Sequence, residues 1–294
     1  MQPRMMEKFG LAFFCVFAWA ASTPLFAEDV VLKHKGIQVS ANLEMAAGKK
    51  LSDGVILMTH GTLAHNRMEI MSTLQEMFKE YGQSTLAINL GYGIDNRLEM
   101  YDCNTTHRHL HTDALDEIAL WFNWLKKKGA RNIVLLGHSR GGNQTAWYVT
   151  EHDDPLIKKV VLVAPMTWDR RDAEKKQKAF YEKASKMVRQ GNGEGLIKNI
   201  DFIYCKDTSA SADSIVSYYK LEDRLDTPSL LKKINKPVLV FAGSEDTTIK
   251  NMVEKVRPLV DGKKIKLFTI DGADHYFRDL NAEEIVEIVV SEIE

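Results

Sequence analysis

The sequence predicts an α/β fold: a mostly parallel sheet with helices packed on both faces. Three observations carry that expectation. Short apolar runs recur along the chain, at "GVILMTHG" (54–61), "STLAINLG" (84–91), "NIVLLG" (132–137), "KVVLVAP" (159–165), "PVLVFAG" (237–243) and "KIKLFTI" (264–270). Runs of that length without polar alternation suit strands buried on both faces. Segments of helical period lie between most of them, and alternating strand and helix implies a parallel sheet.

The composition fits one large core. The 294 residues are 45% hydrophobic and 27% charged, with a formal net charge of −1. That balance leaves no electrostatic footprint for nucleic acid or for a membrane surface.

The chain opens differently. Arg4 and Lys8 precede an apolar run from Phe9 to Ala21, and "PLFA" stands just before Glu28. This is the layout of a secretory signal peptide over residues 1–27, with cleavage expected after Ala27. The run is shorter than the roughly 20 residues of a membrane span, which argues against an uncleaved anchor. Phe14 is too bulky a neighbour for Cys15 to be a lipoprotein cleavage site. The expected location is therefore periplasmic or extracellular, with no membrane attachment after cleavage. Export leaves Cys103 and Cys205, and an oxidising compartment permits one disulfide between them. Two separate buried thiols are the alternative.

The elements follow in order. "VVLKHKGIQVSANLEMA" reads as two strands turning at Lys35–Gly36. After the 54–61 strand, Met68, Met71, Leu74, Met77, Phe78 and Tyr81 recur at helical spacing, which predicts core packing over 65–81. Residues 112–128 form a second helix opened by Thr112 and Asp113, and 140–151 a third. Alternation then breaks over 166–236. That segment carries a charged helix near 170–190, the turn "GNGEG" and further short helices, one with Thr227 at its N-cap and Pro228 at N1. It is expected to be a lid inserted between two strands, so that 28–165 and 237–294 form the core. A helix around 249–260 and a last one from Asn281, with Glu284 at N3, complete the pattern.

One stretch carries chemistry on its face. In "LLGHSRGGNQ", Gly137 and Gly141 flank Ser139 at the junction of a predicted strand and helix. So sharp a turn strains the serine backbone, and glycines two residues away on either side relieve the crowding. A serine needs a histidine to take its proton and an acid to orient that histidine. Asp246 in "AGSEDTTI" and His275 in "IDGADHYF" each follow a predicted strand, so all three lie at the carboxyl edge where open sheets place their sites. Glu245, and Asp169 after the sixth strand, are alternative acids. The oxyanion needs donors too. "MTHGTLAH" places His60, Gly61, Thr62 and Leu63 after the 54–61 strand. The backbone N–H of Arg140 and one from Thr62 or Leu63 are the expected pair.

From about residue 30 onward the chain resembles the α/β-hydrolase-fold serine hydrolases. The matching elements are "HG" at 60–61, "GHSRGG" at 137–142, "GSED" at 243–246 and "ADH" at 273–275. The resemblance implies an eight-stranded sheet with a helical cap after the sixth strand. It implies catalysis by Ser139, Asp246 and His275 but no particular substrate, because the fold hosts many. The expected activity is cleavage of a small-molecule ester or acyl substrate with no cofactor. Amide, peptide or thioester hydrolysis uses the same machinery, and a catalytically silent binding protein is the reading from another class. His60 is expected to anchor the oxyanion loop, His138 to pack beside the nucleophile, and Arg140 to meet a neighbouring carboxylate.

"YDCNTTHRHLH" (101–111) departs from the short glycine-rich turn of many family members. Period two would put His107, His109 and His111 on one face of an extended segment, a possible metal geometry. No carboxylate or cysteine pattern completes such a site, so the expectation is no metal, with the loop rimming the pocket or bonding a helix entry. A Cys103–Cys205 bridge would tie this loop to the lid.

Overall fold

The computed structural model describes residues 28–168, 170–220 and 222–293, with the backbone alone for 170–179. The expected signal segment, including Cys15, lies outside these residues, as does Asp169.

The chain opens with β1 (Glu28–His34) and β2 (Ile37–Glu44), joined by the Lys35–Gly36 turn, and continues into β3 (Val55–Thr59). Then come α1 (Glu69–Glu80), β4 (Thr85–Asn89), α2 (Asp113–Lys127), β5 (Ile133–His138), α3 (Arg140–Glu151) and β6 (Ile157–Val163). Between β6 and the next strand of the same sheet lie α4 (Arg170–Arg189), β7 (Leu196–Phe202), β8 (Cys205–Ser211), α5 (Ala212–Tyr219) and α6 (Thr227–Leu231). The chain closes with β9 (Val238–Gly243), α7 (Met252–Val256), β10 (Ile265–Ile270) and α8 (Leu280–Ile293).

Eight strands form one sheet in the order β1-β2-β4-β3-β5-β6-β9-β10. The pairings of β2 with β1 and β4 are antiparallel, and the remaining five are parallel. The strands β3, β4 and β5 are buried at every position, as their unbroken apolar runs require. Helix α1 packs with α8, and α2 with α3. Each large side chain buried here contributes roughly 1.5–3 kcal/mol.

Strand order decides where a site can form. The chain leaves β3 for β4 on one side and returns to β5 on the other, so the loops after β3 and β5 diverge. Such a switch point opens a crevice at the carboxyl ends of the strands. The loop at Gly61 follows one of these strands and Ser139 follows the other.

The segment between β6 and β9 is only partly helical. The expected short helices form as α5 and α6, but an unforeseen antiparallel hairpin of β7 and β8 precedes them, with register breaks at Lys198/Ile200 and Ile200/Phe202. Phe202, Ile215, Tyr218 and Tyr219 give this segment a small core of its own. His107 adds a bridge to Ala210, donating from its N–H to Ser209 O and accepting from Ser211 N–H. A disulfide joins Cys103 to Cys205 with Cα atoms 5.2 Å apart. Its sequence separation is 102, a closure worth about 4–5 kcal/mol in chain-entropy terms.

Two helix starts differ from expectation. Asp226, not Thr227, caps α6, because the Thr227 hydroxyl turns inward to Met166 O at 2.6 Å. Helix α8 begins at Leu280, one residue early, which moves Glu284 beyond N3.

Candidate active site

Ser139 sits between β5 and α3 with φ 56° and ψ −123°, a sparsely populated conformation for a side-chain-bearing residue that costs about 1–3 kcal/mol. Its surroundings leave it no choice. A Cβ on Gly137 would lie 2.5 Å from Gly141 O, and one on Gly141 only 2.2 Å from His60 O. The backbones of the elbow and of the β3 loop therefore touch directly. Further bonds lock the turn: Ser139 N–H donates to Val163 O, and Ser139 O accepts from the N–H groups of Gly142, Asn143 and Met166.

Three side chains from three loops converge there. His275 Nε2 stands 3.0 Å from Ser139 Oγ, and His275 Nδ1 stands 2.8 Å from Asp246 Oδ2. Asp246 Oδ1 accepts the backbone N–H groups of Thr248 and Ile249 at 2.7 and 2.9 Å. Burial opposes the charge on Asp246. The His275 hydrogen bond and the two amides outweigh it and hold the carboxyl below its ordinary value. Glu245, the neighbouring alternative, is exposed. Its own N–H is spent on Ala273 O.

His138 holds the histidine loop from behind, with its Nε2 2.9 Å from His275 O and its ring 4.8 Å from that of His275. Burial, aided by the proximity of His275, pushes the His138 imidazole down to about 3. That imidazole is neutral, so Nε2 carries the proton donated to His275 O.

The loop after β3 is braced from several sides. His60 is fully buried, lying between Gly61 O at 2.9 Å and the Leu90 N–H at 3.0 Å. Tyr92 Oη accepts the Leu63 N–H at 3.1 Å. Leu63 is thus spent on structure, and Thr62, which lines the cavity over Ser139, is the remaining candidate donor of this loop. His60 thus sits where an anchor of the loop would, and neither it nor Leu63, the alternative oxyanion donor and a pocket candidate, lines the cavity over Ser139. Arg140 opens α3, so its N–H belongs to the first turn, whose donors have no partner within the helix. The positive end of the α3 dipole lies at Ser139, the residue just before that helix.

The Arg140 side chain corrects a second expectation. Among the described residues it meets no carboxylate. Its Nε donates to Thr62 Oγ1 at 3.0 Å, its Nη1 lies 3.3 Å from His111 Nδ1, and its guanidinium stacks over Tyr218 at 5.1 Å.

The three spaced histidines are buried beside this arginine rather than in the pocket. His107 Nδ1 meets His109 Nε2 at 3.1 Å, and His109 Nδ1 meets Tyr218 Oη at 2.8 Å. His111 Nε2 donates to Asn143 Oδ1 at 3.0 Å. Burial holds His107 down to about 4 and His111 down to about 3. Among the described residues, no group of three or more histidine, cysteine or acidic side chains is arranged to hold a metal ion.

A cavity of about 220 Å³ opens over Ser139. Gly61, Thr62, Ala64, Met68, Met100 and His138 line one part of it, and Tyr204, Thr248, His275 and Tyr276 the rest. It is smaller than the roughly 300–1,000 Å³ of sites for drug-sized ligands.

Comparison with known proteins agrees with this architecture. Residues 54–193 match the family model described as alpha/beta hydrolase fold. The chain is an α/β-hydrolase-fold protein. A search of curated protein sequences finds no match. Solved structures share the fold of this α/β hydrolase at low identity. Est1E from Butyrivibrio proteoclasticus is 19% identical with a TM-score of 0.64, covering 90% of this chain and 98% of its own. A Paleococcus ferrophilus monoacylglycerol lipase is also 19% identical, with a TM-score of 0.60 and coverages of 87% and 98%. The esterase domain of a Rhodothermus marinus protein is 14% identical, with a TM-score of 0.58 and coverages of 91% and 97%.

Several residues of this α/β hydrolase's site escaped sequence reasoning. Met100, Tyr204, Thr248 and Tyr276 reach the cavity, and Tyr92 braces the β3 loop. For Tyr276 the neighbouring His275 was an available signal. Tyr204 had none, because only the disulfide and the hairpin bring it to Ser139 from so far along the chain.

Proposed function

We propose that this α/β hydrolase is a serine esterase that cleaves a small carboxylic ester through an acyl-enzyme. The observation that carries the reading is the continuous hydrogen-bond chain from Ser139 through His275 to Asp246. Ser139 Oγ attacks the ester carbon while His275 Nε2 accepts its proton. The oxyanion that forms is bound by the N–H groups of Arg140 and Thr62. His275, kept in the right tautomer by Asp246, passes the proton to the departing alkoxide, and the alcohol leaves. Water then enters, His275 takes its proton, and its oxygen attacks the acyl carbon. Return of that proton to Ser139 Oγ releases the acid.

The fold is shared with Est1E, also solved with ferulic acid bound, and with a monoacylglycerol lipase and an esterase domain. Those relatives favour an ester over an amide or thioester. The Cys103–Cys205 disulfide supports the further reading that the protein is exported and works in an oxidising compartment. A fluorophosphonate probe tests the nucleophile. Wild type should be labelled once, at Ser139, and Ser139→Ala should not be labelled. Equal labelling of the two would refute the reading.

A further inference from the structure

Three large apolar side chains stand exposed around one opening: Tyr204 at 65%, Met100 at 55% and Tyr276 at 39% relative exposure. All three line the cavity over Ser139, together with Ala64 and Met68. Among the described residues, no lysine, arginine, aspartate or glutamate lines it. Apolar surface gathered at a mouth and left to water is the mark of a surface that something covers. Continuity with Ser139 makes that occupant part of the substrate, and the uncharged lining among these residues favours an uncharged one.

The rim has two sides. Thr248 and Tyr276 stand with His275, which protonates the leaving group in the mechanism above. Met100 stands with the oxyanion loop, because the next residue, Tyr101, donates its N–H to Leu63 O at 3.0 Å. Tyr204 is held to the Met100 segment. The adjacent Cys205 is bonded to Cys103, and Thr208 Oγ1 donates to Cys103 O at 2.8 Å. One covalent bond thus staples both faces of the same wall, which is in place before any ligand arrives. Such preorganisation lowers the ordering cost of binding.

We propose that Met100 and Tyr204 form an acyl subsite that takes an uncharged, apolar acyl group longer than acetyl. The inference rests on Ser139 being the nucleophile of an esterase. Methionine adapts its shape to either a chain or a ring, and the tyrosine face suits a ring.

The test uses the full chain and p-nitrophenyl esters of acetate, hexanoate, 3-phenylpropanoate and succinate, with Tyr204→Ala and Met100→Ala. Wild type should favour hexanoate or 3-phenylpropanoate over acetate about tenfold in kcat/KM. Each variant should lose most of that advantage through KM. A loss confined to 3-phenylpropanoate identifies a stacked ring, and a loss for both identifies general apolar burial; either supports the subsite. Tyr204 is exposed enough for its removal to leave folding intact. An acyl preference unchanged in both variants, or a preference for succinate, overturns the proposal. So does a Tyr204→Ala effect that tracks the alcohol in a series of acetates. The two readings fail separately. Fluorophosphonate labelling with unaltered acyl preference removes the subsite alone, whereas no label and no ester cleaved removes the nucleophile and the subsite with it.

Discussion

Arg140 Nε donates to Thr62 Oγ1 at 3.0 Å, so the two residues whose N–H groups are assigned to the oxyanion also hold one another. The guanidinium is seated by His111 on one side and the Tyr218 ring on another. Its role is therefore to position the Thr62 loop, and its loss should be felt where the oxyanion forms. Arg140→Ala and Thr62→Val should each lower kcat about tenfold with KM little changed, since a misplaced donor weakens the transition state selectively. Thr62→Ser keeps the hydroxyl and should restore most of the rate. The double variant should be little worse than either single one, because both remove the same bond. Additive losses in steady-state kinetics would contradict that coupling.

Asp246 and Glu245 offer a sharper contrast than their adjacency suggests. The Asp246 carboxylate reaches His275 at 2.8 Å with two amides behind it, whereas Glu245 is exposed. Asp246→Asn should reduce kcat by about 10³–10⁴-fold, by favouring the wrong tautomer of His275. Glu245→Gln should stay within about twofold of wild type in the same assay, as a surface substitution away from the reacting groups. A comparable loss in Glu245→Gln would reassign the acid.

The contrast marks how far the sequence could be read. The strands were legible because burial on both faces writes itself as unbroken apolar runs, and the elbow because only glycine fits two residues to either side of Ser139. Chain order alone put Ser139, Asp246 and His275 on one sheet edge. Asp246 could be put ahead of Glu245 from the sequence, but what separates them physically is a turn of backbone that decides which carboxylate faces inward. The β7–β8 hairpin was hidden for another reason. Its register breaks and the positive φ of Asn199, Ile203 and Asp207 erase the period of two that announces a strand. The fate of His107, His109 and His111 depended on pairing with a hairpin about a hundred residues away, which no local pattern encodes.

Gly141 tests the elbow without touching the reacting groups. A Cβ there would lie 2.2 Å from His60 O and 2.6 Å from Thr59 O, and both are backbone atoms in a buried strand end. Neither can move aside as a flexible side chain would. Gly141→Ala should cost about 1–3 kcal/mol or more of stability through overpacking. It should also pull the β3 loop away from Ser139. A melting temperature within a degree of wild type would show that the loop and elbow are not packed backbone to backbone.

Acid should unfold this protein early, because its buried histidines are neutral. Burial, with Arg140 nearby, holds His111 down to about 3, and burial with His275 nearby does the same to His138. In the unfolded chain both titrate near the ordinary histidine value of about 6.5. Between those limits the unfolded state binds more protons, so stability rises with pH. It is complete above about 6.5 and is lost as pH falls toward 3. Each histidine contributes up to about 1.4 kcal/mol per pH unit across that window. Asp246, held below the ordinary carboxylate value, adds a loss of the same sign at the acid end. Urea unfolding should give a free energy nearly flat from pH 7 to 8 and falling steeply from pH 6 to 4. His111→Gln can still donate to Asn143 and accept from Arg140 but cannot gain a proton, so it should flatten that fall. An unchanged slope in His111→Gln would mean that protonation at this position does not drive the acid transition.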